Sequence, residues 1–176
     1  MTIKSLTSYR TELHPNMIWL EVETLDDVIG LGETFYAAEA VEAYIHNNLA
    51  PIVLGLSALD IGAIHNLTKP YIGFVGASVE MRARSALDIA LWDALGKVAN
   101  QPLSVMLGGR IRENIRIYNT CAGSRYARGP KVGMIDNYGI QAPAGTKQFE
   151  DLHLFLNDPV SLAGSLLDMG IDSMKI

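Results

Sequence analysis

A long amphipathic helix constrains the fold of this chain more than any other feature of its sequence. Over residues 78–99 the apolar side chains recur at helical spacing and form a broad stripe of alanine and leucine. Three earlier segments, 3–10, 17–24 and 29–33, are typical of short strands, and the middle one alternates between apolar and polar residues. Three short strands are stable only when their apolar face is covered. We therefore expect a three-stranded antiparallel meander packed against helices.

Two shorter helices are expected between the strands and the long helix. The first covers residues 37–48 and ends before Pro51, and the second opens at 57–60 and continues to Leu67. The long helix carries opposite-charge pairs at i,i+4 spacing, each worth roughly 0.2–0.5 kcal/mol. These pairs are Glu80–Arg84, Arg84–Asp88 and Asp93–Lys97.

The pattern changes after Gly109. Residues 114–120 are typical of a strand, whereas 121–157 show little periodicity. Asp158 and Pro159 then open a helix, and 173–176 begin another strand. A strand, a helix and a strand in this order form a βαβ unit with parallel strands and a right-handed crossover. Because two parallel strands and one helix cannot cover both faces of a sheet, we expect a truncated chain, the N-terminal part of a longer protein.

The composition excludes several classes of protein. Apolar residues make up 49% of the 176 and charged residues 19%, which is ordinary for a globular chain. A net charge of −5 argues against a nucleic-acid partner, and no apolar stretch reaches the ~18 residues of a membrane span. The first residues lack the apolar core of a signal peptide, and the single cysteine, Cys121, fits a reducing compartment. We expect a cytoplasmic protein that does not contact a membrane.

The long helix and its continuation carry a recognisable motif. Residues 83–109 read ARSALDIALWDALGKVANQPLSVMLGG. This closely resembles the signature of the mandelate racemase and muconate lactonising enzyme family, within the enolase superfamily, although Met106 departs from the usual Leu or Ile. Shorter agreements occur at 22–24, 30–33 and 51–55. The order and spacing fit the family from about residue 3 to residue 120.

The resemblance implies a fold and a domain organisation. An α+β capping domain, which consists of the meander and its helices, would occupy residues 1–112. Residues 113–176 would hold the first strands of a TIM-type (β/α) barrel, which this chain leaves incomplete.

The resemblance also implies the chemistry. Enzymes of this family abstract the proton alpha to a carboxylate and stabilise the enediolate on a divalent metal, usually Mg²⁺. Such a metal supplies several kcal/mol to the dianion, and a positioned base adds ~10²–10⁴-fold. This implies a Mg²⁺-dependent enzyme that acts on a small hydroxy acid, with dehydration of an acid sugar as the first choice. Racemisation, epimerisation and cycloisomerisation use the same intermediate and stay open, as does a non-catalytic fragment or assembly module.

Few positions of the family's active site fall within the chain. Lys175 matches the first lysine of the family's Lys-x-Lys motif, at a barrel strand end where a cation would stabilise carboxylate charge. The second lysine and all metal ligands are expected beyond Ile176. Two loops, 10–17 and 34–37, match the capping loops that close over the substrate. They supply the candidate substrate-binding residues His14, Asn16, Thr34 and Tyr36.

Plainer interpretations stand beside these. Lys175 is also consistent with an ordinary solvent-facing lysine, and Gly30 and Gly32 resemble part of a nucleotide loop, although a tight strand crossing explains them better. The histidines, at 14, 46, 65 and 153, show no short metal-ligand spacing. The segment 121–157 exceeds the ~15 residues of an ordinary loop. We expect it to lid the site or to join a subunit interface, since the family suggests a homo-oligomer.

Overall fold

The computed structural model describes residues 1–11, 17–69, 78–119 and 151–175. The chain divides into two compact units, Met1–Arg110 and Ile111–Ile176. This division falls near the boundary that the sequence predicts after residue 112. The assignment of the second unit to the start of a barrel stays a prediction.

The first unit is built on the predicted antiparallel meander, which is confirmed. Strands β1 (Ile3–Tyr9), β2 (Met17–Thr24) and β3 (Ile29–Phe35) pair in the order β1-β2-β3. The alternation in β2 places its apolar side chains on one face, where they are fully buried. These residues are Ile18, Leu20 and Val22. The meander therefore has one face in the core and one that is partly open.

The first helical segment is longer than the sequence suggests, because it passes through Pro51. Helix α1 (Ala38–Tyr44) runs into a π-helical turn (Ile45–Leu49) and then into α2 (Ala50–Val53). The prediction that the helix ends before Pro51 is therefore wrong. The amide of Ala50 donates to the Ile45 carbonyl, five residues back, and Pro51 lies in the first turn of α2, where an amide donor is not required.

Two further helices cover the meander. Helix α3 (Ile61–Leu67) and the long helix α4 (Val79–Ala99) form as predicted, and α5 (Leu103–Met106) follows as a single turn. The predicted stripe of α4 is buried from Ala83 to Ala94, but Val98 is 47% exposed. The buried part of the apolar cluster that α4 shares with the sheet ends at Leu91, and the partly buried Trp92 and Leu95 pack against it, so the last turn of the helix extends past the core.

The charges on α4 do not all pair as predicted. Asp93 and Lys97 form their ion pair, with 2.6 Å between Oδ2 and Nζ. Arg84 does not join the two pairs predicted for it, because it lies on the buried face of the helix and is only 6% exposed. Its guanidinium donates instead to the Thr68 hydroxyl at 3.3 Å and to the His65 carbonyl at 3.1 Å, at the end of α3.

The described residues of the second unit form two helices and one parallel bridge. Helix α6 (Asp151–Asn157) forms within the segment 121–157 that the sequence assigns to a loop, so that part of the prediction is wrong. Residues 121–150 lie outside the described part of the chain, and with them Cys121. Helix α7 (Pro159–Asp168) begins at Asp158 as predicted. It is followed by Gly170, which has a φ of +78°.

The two predicted strands of this unit meet at a single bridge. Asn119 and Met174 pair in parallel. The amide of Asn119 donates to the Ser173 carbonyl at 2.9 Å, and the amide of Lys175 donates to the Asn119 carbonyl at 2.7 Å. The parallel direction is as predicted, but a regular strand over 114–120 is not formed up to Asn119. Ile115 is 80% exposed, so this segment lacks the covering that parallel strands need on both faces.

Candidate functional site

One end of the meander brings together Met17 and Phe35, each of which adjoins one of the two predicted capping loops. Met17, the first residue of β2, pairs with Phe35, the last residue of β3. The segment that leads into Met17 and the segment that leaves Phe35 therefore meet the sheet at the same end of its strands. His14 and Asn16 lie outside the described residues, so their predicted roles stay predictions. Thr34 and Tyr36 are described and lie at this end.

Thr34 lies in β3, and Tyr36 lies in the turn with an unusual backbone that follows this strand. Thr34 is half-buried opposite Ile18 in the ladder, on the helix-facing side. Tyr36 and Ala37 follow with φ values of +76° and +52°, in the left-handed region that favours glycine. Helix α1 begins immediately afterwards at Ala38. Two successive strained residues require support from the surrounding structure.

Arg82, in the first turn of α4, contacts this turn, and no motif in the sequence predicts that contact. Its Nη1 donates to the Phe35 carbonyl at 2.8 Å. The guanidinium carbon lies 4.7 Å from the centre of the Phe35 ring and 5.1 Å from that of Tyr36, within the range of a cation–π contact. Arg82 stands one residue before the family-like motif, and nothing in the sequence pattern relates it to a turn 46 residues earlier.

Arg82 is one of three α4 side chains that bind the open edge of β3. The Leu31 amide donates to Asp93 Oδ2 at 2.7 Å, and Lys97 Nζ donates to the Ile29 carbonyl at 2.7 Å. Since β3 is an edge strand, its outward amide and carbonyl groups would otherwise face solvent or another chain. Helix α4 thus holds β3 along its whole length, from Ile29 to the turn after Phe35.

Lys175 lies directly after the parallel bridge and is exposed. Asp172, three residues before Lys175, forms an exposed ion pair with Arg116 at 3.0 Å. The hydrogen bond from Arg116, followed by that from Ser173, holds the pKa of Asp172 below its ordinary value. Exposure of Lys175 agrees both with a strand-end residue that contacts substrate and with a solvent-facing lysine.

A polar network links β1 to the first helix. The Ser8 hydroxyl donates to Glu42 Oε1 at 2.8 Å and contacts Nε2 of His46 at 2.8 Å, while Arg10 Nε contacts Glu42 Oε2 at 2.9 Å. Because the single hydroxyl proton of Ser8 goes to Glu42, the His46 ring acts as a donor to the serine oxygen and not as its base. The network therefore links the end of β1 to the first helical segment.

The part of the chain that the structure describes offers no metal site. No three of its His, Cys, Asp and Glu side chains lie close enough to hold one ion together. The expectation that the Mg²⁺ ligands lie beyond Ile176 stays a prediction. Among the same residues, no helix has both the length and the apolar character needed to cross a bilayer.

Comparison with known proteins identifies the family. Residues 4–108 match the N-terminal domain of the mandelate racemase / muconate lactonizing enzyme family. The chain belongs to this family, and its meander with covering helices is the family's capping fold. The predicted resemblance is confirmed.

Relatives and solved structures agree with this assignment. The chain is 34% identical over 129 residues to a D-galactonate dehydratase of Cronobacter sakazakii, with 72% of this chain and 33% of that protein covered. It is 32% identical over 152 residues to a D-galactonate dehydratase of Verminephrobacter eiseniae, covering 85% and 38%. An enolase of the mandelate racemase subgroup from Agrobacterium tumefaciens superposes with a TM-score of 0.73 at 36% identity, covering 99% and 38%. The chain thus spans about a third of the length of its relatives.

Proposed function

We propose that the full-length protein dehydrates an acid sugar of the aldonate type. The observation that carries this proposal is the identity of 34% and 32% to two D-galactonate dehydratases, over most of this chain. The reaction removes the proton at C2, beside the carboxylate, and expels the hydroxyl at C3 as water. The enol that results takes up a proton at C3 and becomes a 2-keto-3-deoxy acid.

The described residues would contribute binding and charge. Thr34 and Tyr36 carry hydroxyls that can donate to and accept from the hydroxyl groups of a sugar acid. The Lys175 ammonium would favour the additional negative charge that a carboxylate gains when its alpha proton leaves. We extend the same substrate-binding role to His14 and Asn16, which share a loop with one end of β2.

The family implies Mg²⁺, which when bound supplies positive charge to the developing enediolate. The described residues do not form its site, so we assign the metal ligands to the rest of the full-length protein. No step that we assign to this chain involves the metal. The cytoplasmic location and the homo-oligomeric state stay predictions.

The proposal is tested with the full-length protein, Mg²⁺ and a panel of aldonates in deuterated water. Dehydration lowers the substrate mass by one water and yields a carbonyl compound that carries deuterium at C3. Active preparations should lose activity with EDTA and regain it with Mg²⁺. Absence of turnover and of deuterium incorporation for every aldonate would contradict the proposal and favour a non-catalytic assembly module.

A racemase or epimerase is the second candidate, because the Agrobacterium tumefaciens structure is described as belonging to the mandelate racemase subgroup. The same experiment separates the two reactions. Racemisation or epimerisation places deuterium at C2 of the recovered acid and releases no water. The position of the label therefore decides between the two candidates in one measurement.

A further inference from the structure

We propose that Arg82 is a positioning residue that holds the turn of Tyr36 and Ala37 in its strained geometry and thereby sets the affinity for substrate. The inference rests on the proposed function in its second part, because only a substrate-binding turn would link Arg82 to affinity. The first part, that Arg82 holds the turn, does not depend on the proposed function and rests on the contacts between Arg82 and the residues of the turn.

The turn needs an external support. Tyr36 and Ala37 both have a left-handed backbone conformation, and neither is a glycine. Ala37, the N-cap residue of α1, makes no side-chain cap, so the helix does not hold the turn by that means. Arg82 contacts the residue before the strained pair and the first member of that pair. These contacts lie on either side of the peptide bond between Phe35 and Tyr36, so they restrain the backbone where the strained pair begins.

Arg82 contacts the turn although this leaves one of its own hydrogen-bond donors unpaired among the described residues. Its Nε is buried and has no hydrogen-bond partner among the residues that the structure describes, although buried polar groups are nearly always paired. The guanidinium carbon instead lies over two aromatic rings while Nη1 reaches the Phe35 carbonyl. A lysine ammonium is a compact point charge. It cannot contact both rings and donate to the Phe35 carbonyl at the same time. The arrangement therefore requires arginine.

Helix α4 itself provides a matched control. Lys97 also donates from α4 to a β3 carbonyl, that of Ile29, at 2.7 Å. It binds the opposite end of β3, away from the turn. Loss of Lys97 removes a contact of the same kind without touching Phe35, Tyr36 or Ala37.

The test compares Arg82→Lys with Lys97→Gln in the full-length protein. Hydrogen exchange should show the amides of Tyr36 and Ala37 exchanging at least tenfold faster in Arg82→Lys and at the wild-type rate in Lys97→Gln. With the aldonate that the wild-type protein turns over, KM should rise at least tenfold in Arg82→Lys while kcat stays within threefold. Lys97→Gln should change neither constant by more than twofold.

Phe35→Leu is a second variant, for the case that Arg82→Lys does not fold. It removes one ring beneath the guanidinium and leaves Arg82 in place, and it should raise the exchange of both amides at least threefold. Unchanged exchange in the folded variants overturns the proposal. Faster exchange with an unchanged KM overturns its second part. If the wild-type protein turns over no aldonate, the proposed function fails, and the exchange rates alone decide whether Arg82 holds the turn.

Discussion

Gly32 of β3 lies so close to Ala86 of α4 that a Cβ atom added to the glycine would overlap the alanine carbonyl oxygen. Gly30 makes the same contact with Ala90. Two residues along a strand span ~6.8 Å, and four residues along a helix span ~6 Å. The two glycines and the two alanines therefore meet in register, and the helix backbone rests directly on the strand.

Substitution of Gly32 by alanine should force α4 away from the sheet. The contact is with backbone and not with a flexible side chain, so it cannot relax easily. We therefore expect the free energy of unfolding to fall by about 3 kcal/mol, the upper end of the range that is typical for an overpacked core. Urea unfolding followed by circular dichroism measures it. Gly62→Ala is the control, since this helical glycine has open space around it and should become more stable by about 0.5–1 kcal/mol. Equal stability of Gly32→Ala and the wild type would contradict the close contact.

The edge of β3 gives a second prediction. Asp93→Ala removes the acceptor of the Leu31 amide and the partner of Lys97. Since the Asp93 side chain is 36% exposed, solvent reduces the effect, and we expect about 1 kcal/mol of destabilisation. The Leu31 amide should exchange faster in the variant. Asp88→Ala, on the same helix, should leave that amide unchanged, and equal exchange in both variants would show that Asp93 does not protect the edge.

Local patterns predicted the first unit well because its pairing is local. The strict alternation of residues 17–24 gave β2 its bounds and its buried face, and the antiparallel partners follow at once along the chain. The sequence also predicts a close approach of another chain segment at Gly30 and Gly32. This approach is present, but the segment is the helix α4 and not a strand. The partner could not be read from the pattern, because the contact joins residues more than 50 positions apart.

The predictions that failed depended on distant partners. Charge spacing placed Arg84 in surface ion pairs, although the residue also lies on the apolar stripe, and burial against α3 decided the outcome. The segment 114–120 has the composition of a strand but pairs at one residue only, Asn119, among the residues described. The role of Arg82 was missed for the same reason, since no periodicity links it to Phe35.

The burial of Arg84 gives a third prediction, which concerns Thr68. The Thr68 hydroxyl donates to the Ile64 carbonyl at 2.8 Å and accepts from Arg84 Nε, and it is 4% exposed. Thr68→Val keeps the volume but removes both hydrogen bonds and leaves Arg84 without one acceptor, so we expect a loss of about 1–3 kcal/mol. Thr68→Ser keeps the hydroxyl and should recover most of this stability. A denaturation midpoint for Thr68→Val equal to that of Thr68→Ser would rule out the buried hydrogen bonds as the cause.

The start of α7 gives a prediction for pH. Asp158 accepts from the Ser161 amide at 3.2 Å, and the hydrogen bonds from the Ser161 side chain and backbone hold the pKa of Asp158 below its ordinary value of about 3.9. A lowered pKa means that the cap is fully present above pH ~4 and is lost as the pH falls through the folded-state pKa. The NMR shift of the Ser161 amide should therefore titrate with a midpoint below 3.9. Asp158→Asn keeps the cap without a titrating group, so its shift should stay flat, and a wild-type midpoint at or above 3.9 would show that the carboxylate does not cap the helix.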